Sequence, residues 1–350
     1  MYYPPYPPYP PYPPESYRDP HIDPTPYTMF WGEKRDLRRT ANRLCWTLLI
    51  VILLMGSFGM VCTIFLRAIG YRAVDLSSDF HGFTPILYYL TVIVSYVVGL
   101  AVPVLIYFAI RRIPLGQALP FGPVRLPKAV ACVFFGSAVC MLGNFPANAV
   151  LSIEKFFGFS GDMQQMPLND DLWVLILYGI TLIIVPPIVE ELLFRGMILH
   201  SLRKYGDGFA IVTSSILFGL YHSNFVQIVF AFIAGLILAF VVVRTGSLWI
   251  SILIHFINNS ISFTLEIIQR YNGDQAATVA NYFVFGILML CGIFSLIYLL
   301  IKDRHFFRSA PRNPVFPMPS KIWAAFTNPG AVAVVLYTLL YSIYLLINPS

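Results

Sequence analysis

Charge is scarce in this chain. Asp, Glu, Lys and Arg make up 11% of its 350 residues, against about 25% in soluble domains. Hydrophobic residues make up 57% and the mean hydropathy is +0.71. That balance excludes an ordinary soluble domain and predicts a polytopic membrane protein. Paired metal-type cysteines are lacking too: Cys45, Cys62, Cys132, Cys140 and Cys291 sit singly in apolar runs and read as small buried residues, silent about redox compartment. The metalloprotease signature His-Glu-x-x-His is absent. So is Gly-x-Ser-x-Gly, which leaves Ser214, Ser215, Ser223 and Ser251 as helix-packing serines. No charged segment followed by an apolar run opens the chain, so no signal peptide is expected. The lack of a long internal repeat argues against an inverted-repeat transporter.

What the chain does have begins with Tyr-Pro-Pro blocks over the first residues. These cannot form a helix and favour polyproline II. A disordered tail is expected, with a Pro-recognising partner domain as the sharper alternative. Nine apolar segments follow, near 44–66, 84–110, 129–153, 172–194, 209–222, 225–243, 247–268, 277–301 and 331–347. A bilayer-spanning helix needs ~20 such residues. The segment 209–222 is short enough to belong to a re-entrant hairpin, so eight or nine spans are expected. The net charge of +6 falls mostly between these segments, where it sets topology; nucleic acid is not implied as a partner. Lys34 to Arg43, Arg111 to Lys128, Arg203 with Lys204, Arg244, and Lys302 to Lys321 all fall on one side if the spans alternate. That side is read as cytoplasmic, with the N-terminus inside.

Glu190 and Glu191 stand together within an apolar span. A charge at bilayer depth costs at least ~2.5–3.5 kcal/mol, so such residues persist where they are paired, hydrated or chemically employed. Residues i and i+4 share a helix face. Glu191 therefore faces Arg195, and His255 shares a face with Asn259, while Glu190 is rotated by ~100° toward another neighbour. Depth is a second indication. Measured from the basic ends at ~1.5 Å per residue, Glu190 lies ~20 Å in, His222 ~21 Å, His255 ~17 Å and Asn259 ~22 Å. Four polar residues on three segments reach one depth, as a single buried site open to the cytosol requires.

A carboxylate beside a neutral imidazole can orient and deprotonate water. A second His and an amide on one helical face can stabilise an oxyanion. Together they suit amide hydrolysis without a covalent nucleophile. The chemical rival is a zinc site on His222, His255 and Glu190 with one open position. Two rivals come from other classes: a catalytically idle scaffold or bacteriocin-immunity protein, and a proton-coupled transporter with Glu190 as relay.

Glu190-Glu191-x-x-x-Arg195, Phe218-x-x-x-His222 and His255-x-x-x-Asn259 resemble, in order and spacing, the three motifs of the CPBP family. This family holds CAAX proteases and bacteriocin-processing (Abi) proteins, including Rce1-type intramembrane glutamate endopeptidases. The resemblance covers 172–268. It implies an all-α transmembrane bundle of about eight helices with a cavity open to the cytosol. It implies Glu190 as catalytic glutamate with His222 activating water, and His255 and Asn259 as the oxyanion pair. Glu191, Arg195 and Phe218 take supporting places, and no cofactor is needed. The substrate would be a membrane-embedded or lipidated peptide or protein. Rce1-type members cut a C-terminal tripeptide from prenylated proteins, but the tail and basic connector lie outside that pattern, so the natural substrate does not carry over. The expected organisation is a cytoplasmic tail and basic flank (1–43), a CPBP-type transmembrane domain (44–301), a basic Pro-rich connector (302–330) and a C-terminal transmembrane helix (331–350). The setting reads as a bacterial cell membrane.

Overall fold

The computed structural model describes residues 26–71, 80, 82–159, 166–307 and 317–348. The Tyr-Pro-Pro tail and Arg72, Asp75, Asp79, Asp162, Arg308 and Arg312 lie outside them. Among the described residues every regular element is helical. The longer helices are α1 (Pro26–Ala68), α2 (Pro85–Arg111), α3 (Leu126–Leu142) and α4 (Asn144–Phe156). Then come α5 (Leu172–Tyr205), α6 (Asp207–Tyr221), α7 (Phe225–Thr245) and α8 (Leu248–Lys302). Two more, α9 (Met318–Phe326) and α10 (Pro329–Ile347), complete the set. Among the described residues seven helices or helix pairs are long and apolar enough to cross a bilayer. The chain is an integral, multi-pass membrane protein built as an all-α bundle.

Local sequence sets the helix ends. Pro85 starts α2, where a missing N–H costs nothing, and the Thr84 hydroxyl accepts from Leu87 N–H. Asp171 caps α5, Asn224 caps α7 and Asn328 caps α10 through their side-chain oxygens. The apolar segment expected over 129–153 is split at Gly143. Pro146 has no N–H for the Leu142 carbonyl, and the Asn144 amide donates to the adjacent Met141 O at 3.1 Å.

Helix α8 is 55 residues long yet doubles back. Gly136 of α3 abuts Ile254, and Ala138 of the same helix abuts Gly292. On a straight helix residues 254 and 292 would lie ~57 Å apart. The reversal occurs at Gly273, whose φ of 84° and ψ of 171° suit only glycine. The single long helix is thus two passes. The sequence reading left residues 269–276 outside both spans, whereas helix runs up to the glycine on either side.

The basic segments gather at one end. Lys204 pairs with Asp36 at 2.6 Å, and buried Lys321 donates to Tyr205 O at 2.6 Å while pairing with Glu33. Arg244 lies 3.6 Å from Asp303. At the other end Arg270 and Tyr271 reach Asp170 at 3.2 and 2.9 Å, and these two hydrogen bonds, Tyr271's first, hold the Asp170 carboxyl below its ordinary value. The basic residues of 302–330 therefore include one, Lys321, that docks α9 onto the bundle and is not solvated.

Candidate active site

Pro186 and Pro187 shape the α5 backbone around the glutamates. Neither has an N–H, so the carbonyls of Leu182 and Ile183 lose their i+4 partners. The helix responds with a π-helical stretch over Ile180–Ile184, in which Val185 N–H reaches back to Ile180 O. A second wide stretch covers Leu192–Leu199. The freed Leu182 carbonyl accepts from Asn259 Nδ2 at 2.9 Å. The double proline thus ties α5 to α8 at the level of the site.

Glu191 and Arg195 form the expected i,i+4 pair, Nη1 to Oε1 at 2.9 Å, with both side chains buried. Arg195 Nη2 also donates to Gly235 O of α7 at 3.3 Å. Its guanidinium carbon lies 4.5 Å from the centre of the Phe218 ring, a cation–π contact that a desolvated site strengthens. Phe218 meets the rings of Phe194, His222 and His255 at 4.8, 5.0 and 6.0 Å. It is the apolar hub between the polar residues.

His255 lies between the two glutamates. Its Nδ1 is 3.2 Å from Glu191 Oε1, and its Nε2 is 3.8 Å from Glu190 Oε2. The close approach of α8 depends on Gly136, where a Cβ would come within 2.5 Å of Ile254. His222 sits at the tip of the α6–α7 hairpin. Helix α6 is 15 residues, about 22 Å, short of a ~30 Å hydrocarbon core. Helix α6 alone is thus too short to cross the core, whereas α7 is long enough. The hairpin closes tightly because residue 219 is glycine: a Cβ there would meet Ile228 O at 2.7 Å. His222 Nδ1 lies 2.9 Å from Phe218 O. A carbonyl only accepts, so Nδ1 carries the hydrogen and, in a neutral ring, Nε2 is left as an acceptor.

Glu190 has a partner that sequence reasoning missed. Tyr96, from α2, donates to Glu190 Oε1 at 2.6 Å, and Tyr221 donates to Tyr96 at 3.4 Å. A tyrosine in an apolar span gives no signal of its own. Tyr221, next to His222, was at least beside a motif. The second oxygen, Glu190 Oε2, is buried without a protein hydrogen bond among the described residues, as are Glu191 Oε2 and Arg195 Nε. Such an atom is expensive unless something else bonds it. No three His, Cys, Asp or Glu side chains among the described residues converge as a ligand set. His222, His255 and Glu190 are therefore not gathered as a three-ligand set in this arrangement.

Glu190, Glu191, Arg195, Phe218, His222 and His255 thus touch one another from α5, α6 and α8, Tyr96 joins them from α2, and Asn259 is fixed to Leu182 O of α5. Comparison with known proteins falls on the same stretch. Residues 172–261 match the family described as type II CAAX prenyl endopeptidase Rce1-like. Over 109 residues the chain is 30% identical to the protein named "Putative membrane peptidase YdiL" of Bacillus subtilis (strain 168). That similarity spans 30% of this chain and 44% of the relative, so the chain covers less than half of the relative's length. No solved structure matches. The segment that carries Glu190, Glu191, Arg195, Phe218, His222, His255 and Asn259 is similar to the Rce1-like CAAX prenyl endopeptidase family, as the motifs lead one to expect.

Proposed function

We propose that this protein is an intramembrane endopeptidase that hydrolyses a peptide bond in a membrane-associated or lipidated peptide or protein, with Glu190 as general base. The observation that carries this reading is the state of Glu190. One oxygen is fixed by Tyr96, and the other is buried with no protein hydrogen bond among the described residues. A water donating one hydrogen to Glu190 Oε2 and the other to His222 Nε2 would satisfy both acceptors and present its lone pair to a substrate carbonyl. Glu190 would take the water proton as the C–O bond forms and return it to the leaving amine as the C–N bond breaks. The oxyanion would be met by the second amide hydrogen of Asn259, whose first is held by Leu182 O, and by a ring N–H of His255. Glu191 and Arg195 would hold the His255 ring in place. No metal is required in this scheme.

The test is cleavage of a lipidated or transmembrane peptide by the purified full chain and its Glu190→Gln variant, with and without chelator. A ~10²–10⁴-fold loss is expected, the usual worth of general acid–base catalysis. Unchanged cleavage in the variant would sink the glutamate mechanism. Loss on chelation, restored by zinc, would replace it with a metal mechanism.

A further inference from the structure

The basic end of the bundle holds a cavity of ≈ 240 Å³ between α1, α2 and the end of α5. Ser201, which lines it, is eleven residues from Glu190, about 16 Å along the helix, so it is separate from the carboxylate site. Its floor is polar and buried: Tyr107 is 8% exposed, and its hydroxyl lies 3.3 Å from Ser201 Oγ. Its rim carries exposed Arg43, Arg111, Arg112 and Lys204. Asp36 neighbours this rim and is engaged by Lys204 and Tyr205. Arg111 adds to the positive field at Asp36, and Arg43 and Arg112 form no ion pair with a carboxylate among the described residues. Cations that only set topology have no need to converge on a hydroxyl-floored cavity.

We propose that this cavity binds a phosphate-bearing anion. Arg forks suit phosphate oxygens, and the hydroxyls of Tyr107 and Ser201 add neutral donors below them. The carbonyls at the end of α2 do not repel the guest strongly, because Ala109 O and Phe108 O accept from Arg112 and Ile113 N–H. The volume is below the ~300–1,000 Å³ typical of drug-sized ligands, so it suits a headgroup and not a peptide. Ile106 and Ile110, on the turn just before Arg111, are 53% and 73% exposed. A lipid-facing apolar surface therefore runs up to the rim, and an anionic lipid headgroup could enter from the bilayer side.

The test uses the purified full chain in a neutral detergent. Its probes are dioctanoyl phosphatidylglycerol, dioctanoyl phosphatidylcholine and inorganic phosphate, with binding read by native mass spectrometry and titration. Phosphatidylglycerol should bind at least tenfold more tightly than phosphatidylcholine. The Arg111→Gln/Arg112→Gln double variant should lose at least tenfold, and Arg67→Gln, at the far end of α1, should lose nothing. Phosphatidylglycerol without inorganic phosphate binding supports a lipid source, and inorganic phosphate alone supports a soluble one. Equal affinity for the two lipids with no phosphate binding overturns the proposal. So does an unchanged affinity in a double variant whose melting transition matches the wild type. If that variant does not fold, Tyr107→Phe takes its place, and an unchanged affinity there is equally decisive against it.

Discussion

Glu190 and Glu191 are adjacent, yet a turn of ~100° between them sends each to a different set of neighbours. Glu191 completes a buried ion pair with Arg195 and holds His255. Glu190 meets α2 through Tyr96 and keeps one oxygen unbonded. The i,i+4 spacing made the first pairing legible from the sequence, as it did the shared face of His255 and Asn259. Tyr96 was not legible, because it comes from a helix 94 residues away with no periodic or motif signal. It also yields a prediction. A hydrogen bond to a charged group contributes about 1.5–3 kcal/mol. Tyr96→Phe keeps the ring and should lower kcat by ~10–100-fold with little change in KM, as measured by steady-state cleavage of a lipidated peptide. A change in KM alone would make Tyr96 a substrate-binding residue instead.

At the scale of elements, a few backbone positions decide where the helices go. The double proline widens α5 and hands the Leu182 carbonyl to Asn259. Glycines 136, 219 and 292 permit close helix approaches. Gly273 reverses α8 with a backbone that other residues adopt at a cost of order 1–3 kcal/mol. Gly273→Ala should therefore lower stability by about 1–3 kcal/mol, read as an earlier thermal or denaturant transition of the purified protein. Nothing lies within 4 Å of an added Cβ at this position, so the cost is conformational and not steric. An unchanged transition would show that the loop relaxes freely.

For the whole molecule, the two ends differ in charge chemistry. One collects Lys204, Lys321, Arg244 and the arginine-rimmed cavity, and the other holds Asp170 with Arg270 and Tyr271. From the Lys and Arg bias we propose that the first end is cytoplasmic. With the native cysteines replaced, Arg270→Cys should react with a membrane-impermeant maleimide in intact cells, and Lys204→Cys only in inside-out vesicles. The opposite pattern would reverse the orientation.

The sequence by itself determined the class of the molecule and nominated the polar residues of its candidate site. Low charge and long apolar runs leave no other home for the chain than a bilayer, and carboxylates, imidazoles and an amide at one helical depth are too costly there to be incidental. Local rules also sufficed for the Glu191–Arg195 pair. Only the tertiary structure decided which polar groups touch. Contacts such as Tyr96 to Glu190, Asn259 to Leu182 O, and His255 between two carboxylates join residues distant in sequence. Their geometry depends on how closely glycine lets helices approach and on which carbonyls proline leaves free, and helical periodicity carries no information about either.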